Sequence, residues 1–191
     1  MSTNNKTTVC GPLIKLSPEE YIPPEKLFKL IARIRKMTAM GKVPYVCAPL
    51  TELLAEEQAL AKILYELLAD ACLSTFGARA FVPHEHFDPK KHSYYTPIQV
   101  YRAERKQVCK KTSLLIVVTV APSWGGGIEV EMANESDVPV MLFCERKKFE
   151  QKKISRLLRG NPAVVATILY DTNEEAIKKF MDMFLSASVK N

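Results

Sequence analysis

The chain has 191 residues, of which 47% are hydrophobic and 25% are charged, and its formal net charge is +6. This composition is typical of a globular chain with one sizeable core. No segment approaches the roughly 20 apolar residues that cross a bilayer, and the polar start MSTNNKTT lacks the apolar core of a secretory signal, so a cytoplasmic location is expected. Five scattered cysteines without a CxxC pair favour reduced thiols over disulfides or a zinc site.

The chain begins with an extension, residues 1–43, that stands outside any alternation of strand and helix. The extension contains one predicted amphipathic helix, from Pro23 or Pro24 to about Met40, because a proline suits a first helical turn and apolar residues recur at helical spacing. Residues 44–191 are predicted to form a single α/β domain.

From residue 44 onward, short apolar runs alternate with helical patterns. The predicted strands are Pro44–Leu50, Ala78–Val82, Leu114–Val120, Pro139–Cys144 and Ala163–Tyr170. The predicted helices are Thr51–Ser74, Pro97–Lys111, Ile128–Ser136, a basic helix after Cys144, and Asn173–Ser188. This order predicts a doubly wound, five-stranded parallel sheet of the flavodoxin or Rossmann-like kind, with right-handed crossovers. Ligands of such sheets bind beyond the carboxyl ends of the strands.

Much of the positive charge follows the fourth predicted strand. The basic residues there are Arg146, Lys147, Lys148, Lys152, Lys153, Arg156 and Arg159. They share helical spacing with an apolar stripe, which favours a solvated helix face over a nucleic-acid surface. No aromatic residues interleave with the charges and no nucleic-acid motif is present, so nucleic acid is not an expected partner.

The segment PSWGGGIEVEMA follows the most apolar strand and is predicted to turn the chain into a helix. Gly125, Gly126 and Gly127 let the backbone approach a phosphate or sugar, and the amides that open a helix add its positive dipole end. Glu129 is predicted to lie in the first turn, where the dipole favours an ionised carboxylate that acts as a nucleophile at neutral pH. The alternative is a helix-start glutamate after a flexible turn.

A polar stretch, Pro83–Thr96, is too long for a minimal connector and lies where the ligand-binding edge is expected. On an extended segment His84 and His86 point the same way, and Asp88 and His92 add two more potential metal ligands. No companion cluster appears elsewhere, so no metal is expected. A pocket role for His86, including protonation of a leaving base, and an ordinary loop role both stay open.

Four aromatic residues are further candidates near the site. Tyr94, Tyr95 and Tyr101 suit stacking against a base, although core packing explains such residues as well. Trp124 lies within the glycine turn, where it either covers the pocket or anchors the loop.

Several motifs in order carry a resemblance to a known family. They are the strand YVCAPL, a strand ending in APS, the glycine-rich turn, Glu129 with Ser123 six residues before it, and Ser155 followed by LLRG. Over about residues 44 to 187, this pattern resembles the nucleoside 2-deoxyribosyltransferase superfamily, and within it the 2'-deoxynucleoside 5'-monophosphate N-glycosidase branch.

The resemblance implies a reaction and its nucleophile. Glu129 would attack C1' of the sugar, expel the base and form a glycosyl-enzyme ester that water or a second base resolves. The expected partner is a small nucleoside or nucleotide, and no cofactor is implied.

The resemblance also implies the binding residues. Ser123, with the amides of Gly125 and Gly127, would hold a 5'-phosphate. Ser155 is similar to a serine that reaches this phosphate from the neighbouring subunit, which implies a homodimer. Tyr45 and His86 match positions that line the sugar and base pocket.

Two departures from the family pattern bear on catalysis. The family has an aspartate that orients the sugar, in the helix before the third predicted strand. Counting back from that strand places Arg105 at the position of this aspartate. Glu104 is adjacent, but one residue along an α-helix is a rotation of about 100°. The monophosphate branch also has a polar, arginine-containing stretch after its first strand, where this chain has Pro49, Leu50 and Thr51.

Three further functions are therefore weighed against N-glycosidic hydrolysis. One is deoxyribosyl transfer between bases, and another is phosphoribohydrolase chemistry of the cytokinin-activating type, whose PGGxGTxxE turn matches less well. The third is a non-catalytic nucleotide sensor in which Arg105 supplies an anion contact. A salt bridge from Arg105 to Glu129 would favour the sensor, and a carboxylate or amide other than Asp within about 3 Å of Glu129 would favour catalysis.

Overall fold

The computed structural model describes residues 20–88 and 91–185. At its centre is a parallel four-stranded sheet in the order β1-β2-β3-β4, with β1 at Val43–Cys47, β2 at Thr112–Val118, β3 at Val140–Glu145 and β4 at Val164–Tyr170. Parallel neighbours require a crossover between successive strands, so helices cover the faces of the sheet. The predicted α/β class with a parallel sheet is confirmed.

Helices lie on both faces of this sheet. Their bounds are α1 Pro24–Ala39, α2 Ala55–Phe76, α3 Pro83–Phe87, α4 Pro97–Lys106, α5 Trp124–Glu135, α6 Arg146–Glu150, α7 Arg156–Arg159 and α8 Asn173–Leu185. A π-helical turn, Gln107–Lys111, continues α4 towards β2. Helices α1, α2 and α8 share a core with one face, while α5 and the π-helical turn pack on the other. Among the described residues no helix is both long and apolar enough to span a membrane.

The prediction of five strands is wrong. Ala78–Val82 contributes only an isolated parallel bridge, in which Phe81 pairs with Tyr45 on the outer side of β1. Two backbone hydrogen bonds, of 2.8 and 2.9 Å, join Phe81 to β1. Pro83 then begins α3 and has no N–H to donate, so the pairing ends after one residue.

Two strands have ends that differ from the predicted ones. β1 ends at Cys47 rather than at Leu50, and Pro49, which cannot donate to a ladder, follows two residues later. β2 begins at Thr112, two residues before the first apolar residue of its run. The polar side chain of Thr112 is tolerated in the core because its hydroxyl donates to the carbonyl oxygen of Gln107 at 3.0 Å.

The basic stretch after β3 differs from its prediction, and the last predicted helix is described only in part. The single basic helix is instead α6 and α7, and Lys152 between them has a φ of 58°, which an α-helix does not allow. The last predicted helix is described as far as Leu185, and its remaining residues lie outside the described part of the chain.

The predicted helix of the N-terminal extension is present as α1. Its side chains Leu30, Ile31 and Ile34 are buried in the same core as the sheet. Pro24 stands at its first position, where a missing N–H costs nothing. Helix α1 therefore packs on the sheet of its own chain, and residues 1–19 of the predicted extension lie outside the described part of the chain.

A buried ion pair ties the residues before α1 to α8 and β4. Glu20 is 1% exposed, and its carboxylate accepts from Lys179 Nζ at 2.8 Å and from the Leu169 N–H at 2.9 Å. Lys179→Ala is expected to lower the free energy of unfolding by about 3 kcal/mol, because a buried carboxylate then loses its cation. Urea denaturation measures this loss.

An exposed pair on the same helix is the matched control. Lys178 bonds Asp182 at 2.6 Å, and both side chains are more than half exposed. Lys178→Ala should change the free energy of unfolding by no more than about 0.5 kcal/mol. Equal losses in the two variants would contradict a special role for burial.

Candidate active site

Helix α5 begins immediately beyond the end of β2. Ser123 is its N-cap, and the Ser123 Oγ accepts from the Gly126 N–H at 3.1 Å. This cap starts the helix at Trp124, so the three glycines form its first turn instead of a preceding loop. Because α2 and α5 follow adjacent strands onto opposite faces, the crevice of the sheet opens between β1 and β2.

Glu129 therefore lies in the second turn of α5, and the prediction that it lies in the first turn is wrong. Its side chain points into the protein, and the residue is 7% exposed. Burial raises the pKa of Glu129 because the charged form loses water, while hydrogen bonds from Cys47 and Tyr45 oppose this rise. The carboxylate is stabilised by these two donors and not by the helix dipole.

Tyr45 connects Glu129 with a column of aromatic rings. Its hydroxyl, on a side chain fully buried in β1, donates to Glu129 Oε1. Burial, and then the Glu129 charge, raise the pKa of Tyr45, so the phenol keeps its proton and its donor role. The Tyr45 ring stacks on Phe81 at 5.3 Å, and Phe81 stacks on exposed His86 at 4.4 Å.

A second carboxyl group lies within electrostatic reach of Glu129. It belongs to Glu104 on α4, and burial, followed by the negative charge of Glu129, raises the pKa of Glu104 to about 7. Arg105 does not reach Glu129. It lies on the surface, where it is within 3.5 Å of Glu135 on α5 and hydrogen-bonds Tyr101. The residue that accompanies Glu129 is thus Glu104.

The π-helical turn explains why sequence reasoning reached Arg105. Each N–H in such a turn bonds a carbonyl five residues back, so the turn holds one residue more than an α turn. A count back from β2 that ignores this extra residue in Gln107–Lys111 therefore ends one residue too close to β2. Correcting for the extra residue moves the position from Arg105 to Glu104.

The raised pKa of Glu104 predicts a pH-dependent effect on stability. Between pH 4.5, the ordinary carboxyl value, and about 7, the folded protein keeps a proton that the unfolded chain releases. Stability is therefore lost as the pH rises through this window, and Glu104→Gln removes that loss. We expect the melting temperature of Glu104→Gln to exceed that of the wild type by more at pH 8.5 than at pH 4.5. A difference that is constant with pH would contradict burial of this carboxyl group.

The remaining candidates lie at the rim. Trp124 is 89% exposed at the start of α5, where Gly125 follows it, and Tyr101 is exposed on α4. Ser155 is exposed as the N-cap of α7, and its Oγ accepts from the Leu158 N–H at 3.4 Å. A hydrogen bond of 2.9 Å between Asn161 and Glu131 joins the chain after α7 to α5.

His84 and His86 lie on α3, so the expectation of an extended segment with both rings on one side is wrong. Residues two apart on a helix point about 200° apart. His84 is buried against Glu66, with 3.2 Å between Nε2 and Oε1, whereas His86 faces out. Asp88 pairs with Lys62 at 2.7 Å. Within residues 20–88 and 91–185, no group of three or more metal-ligating side chains is placed to hold a metal ion.

Sequence reasoning missed two residues of the site. Phe81 was assigned only to a strand, yet it separates Tyr45 from His86. Cys47 was taken as an ordinary buried thiol, yet it hydrogen-bonds Glu129. Its position two residues after Tyr45 on a strand was the available signal, because such residues share a face.

The site is nearly closed. Two open cavities, of about 480 and 610 Å³, lie elsewhere: one is lined by α1 and β4, the other by α2 and the ends of β3 and β4. Neither includes Glu129.

The fold and site define a class: a doubly wound α/β protein with a buried carboxylate at the point where its crossovers change face. The structure is similar to that of the CMP N-glycosidase BcmB of Clostridium botulinum, with a TM-score of 0.50 and 19% identity over 71% of this chain and 96% of that chain. At this identity the likeness is one of fold, and it supports the predicted α/β fold with a parallel sheet. No family model matches the chain, and no curated protein matches it.

Proposed function

We propose that this protein cleaves the N-glycosidic bond of a nucleoside or of its 5'-monophosphate. The observation that carries the proposal is the cluster of Glu129, Tyr45 and Glu104. A buried carboxylate held by a phenol lies within electrostatic reach of a second carboxyl group, whose pKa is raised to about 7. Two carboxyl groups with different environments are what a retaining glycosidase uses.

In the first step Glu129 is the nucleophile. A carboxylate oxygen bonds to C1' of the sugar, the bond from C1' to the base nitrogen breaks, and its electron pair leaves with the base. Glu104 is partly protonated near neutral pH and supplies a proton to the departing base. Tyr45 keeps the carboxylate aimed at C1' through its hydrogen bond.

In the second step a water molecule attacks C1' of the glycosyl ester. Glu104, now a carboxylate, accepts a proton from this water, and the ester bond to Glu129 breaks to release the sugar. A second base in place of water gives deoxyribosyl transfer with the same residues. The proposal needs no cofactor.

The binding residues follow from their places around this cluster. The exposed face of His86 continues the aromatic column and suits stacking of a base. The first turn of α5, with Ser123, Gly125 and Gly127, suits the 5'-phosphate because helix-start amides attract anions. Ser155 would reach that phosphate from the second subunit of a homodimer, as the sequence resemblance implies.

The test is release of free base from ribo- and deoxyribonucleosides and their 5'-monophosphates, followed by liquid chromatography. CMP belongs in the panel because it is the substrate named for the structural neighbour. We expect release from at least one member. Saturable binding of a member without release from any would contradict the proposal.

The low exposure of Glu129 favours one alternative, a non-catalytic nucleotide sensor, because a sensor does not need a reactive carboxylate. The pairing of Arg105 with Glu135 removes the anion contact that this alternative assigned to Arg105. Binding titrations on the same panel distinguish the sensor from the enzyme.

A further inference from the structure

The three glycines at the start of α5 are not equivalent. A β-carbon built on Gly126 would lie 3.3 Å from the Cys47 Sγ, closer than side chains normally pack. A β-carbon on Gly127 meets nothing within 4 Å, and one on Gly125 meets only the Ser123 Oγ at 4.0 Å. A methyl group at position 126 would therefore press on the Cys47 sulfur, which would have to shift by a few tenths of an ångström.

The Cys47 sulfur occupies the space beside Gly126, next to the helix face that carries Glu129. Gly126 and Glu129 are three residues apart on α5 and share one face of the helix. Cys47 is 1% exposed in β1 and packs against that face. Its sulfur therefore lies on the side of α5 that carries Glu129, and the Cys47 thiol lowers the pKa of the Glu129 carboxyl group. Tyr45, which donates to Glu129, and Cys47 thus face the same helix from one side of β1.

We infer that Cys47 and Gly126 are positioning residues for Glu129: the Cys47 thiol donates to the carboxylate, and the bare α-carbon of Gly126 leaves the space that holds the sulfur there. A carboxylate restrained by two donors keeps one orientation, which a nucleophile must have for in-line attack on C1'. The expected effect on kcat rests on the proposed function. The contact between Cys47 and the Glu129 face of α5 does not.

The ionisation of Cys47 agrees with a donor role. Burial, and then the neighbouring charge of Glu129, raise the pKa of Cys47, so its sulfur retains the proton that the hydrogen bond uses. Cys72 is the matched control. It is equally buried on the opposite face of the sheet, and burial alone raises the pKa of its thiol.

The first experiment measures the pKa of Glu129 in the free protein, by NMR of ¹³C-labelled glutamate carboxyl groups, and needs no substrate. Cys47→Ala should raise this pKa by about half a unit to one unit, because the lost hydrogen bond favoured the charged form. Cys47→Ser, which keeps a donor, should restore the wild-type value, and Cys72→Ala should not change it. An unchanged pKa in Cys47→Ala overturns the inference even if the protein is an active glycosidase.

The glycines provide a second series in the same measurement. Gly126→Ala should raise the pKa of Glu129 because the new methyl group displaces the sulfur. Gly127→Ala should leave it unchanged because its methyl group meets open space. Equal shifts in the two variants would mean that the helix, and not the sulfur, sets the pKa.

Once the panel identifies a substrate, the kinetic constants give a further test. Cys47→Ala should lower kcat by about tenfold with little change in KM. The Glu129 carboxylate would no longer be held in one orientation, whereas the contacts that bind the substrate would remain. Cys47→Ser should recover most of kcat. A change in KM alone would contradict a positioning role, whereas absence of turnover from the whole panel would contradict the proposed function and leave the pKa result standing.

Discussion

Glu129→Gln is expected to reduce base release by at least about a thousandfold, because an amide cannot form the glycosyl ester. The substitution keeps the shape of the side chain and an oxygen that accepts from Tyr45. It also removes a carboxyl group that burial makes costly to ionise, so the folded state should not lose stability. Initial rates on the best substrate of the panel, with melting curves in parallel, measure both effects.

Glu131→Gln is the matched control for this loss. Glu131 lies two residues further along α5, is exposed and bonds Asn134 and Asn161 on the surface. Its substitution should leave the rate within about twofold of the wild type, since surface changes of this kind are small. Retention of more than a tenth of the activity by Glu129→Gln would contradict a nucleophilic role for this carboxylate.

The second large effect is expected for Glu104→Gln, which should lower kcat by about a hundredfold, within the usual range for loss of a general acid. The pKa of about 7 also predicts the shape of the pH profile. Wild-type kcat/KM, which reports the free enzyme, should fall as the pH rises through about 7, because the proton that Glu104 donates is then lost. In Glu104→Gln this fall should disappear.

Two comparisons make this prediction specific. With a substrate whose leaving group needs no protonation, the first turnover of Glu104→Gln should release base at nearly the wild-type rate, since the acid is then dispensable. Later turnovers should stay slow, because Glu104 is also the base of the second step. Arg105→Gln should leave kcat almost unchanged, because Arg105 pairs with Glu135 on the surface. A larger loss in Arg105→Gln than in Glu104→Gln would refute the register that the π-helical turn imposes.

Some elements could be predicted well from residue patterns. Helix α1 and strands β2, β3 and β4 were each located within two residues at one end or both, because their apolar periodicity is local to the segment. Other boundaries depended on single residues with special backbone demands. Pro83 shortened the strand at Phe81, and Lys152, in a left-handed conformation, divided the basic helix.

The site was only partly predictable for a different reason. Glu129 and Tyr45 were named from motifs, and the structure brings them into contact. The ionisation of Glu129 was misjudged because its pKa depends on burial, which a position within a helix does not reveal. Cys47 was overlooked because its partner lies on another element, more than 80 residues away along the chain.

By itself, the sequence determined the α/β alternation and the presence, after β2, of a helix that carries Glu129, since these depend on neighbours along the chain. Only the tertiary structure decided that four strands form the sheet, that Glu104 instead of Arg105 accompanies Glu129, and that Cys47 lies against Gly126. These outcomes depend on the register and distance between separate elements. Register and distance are set when the whole core packs, and no local pattern contains them.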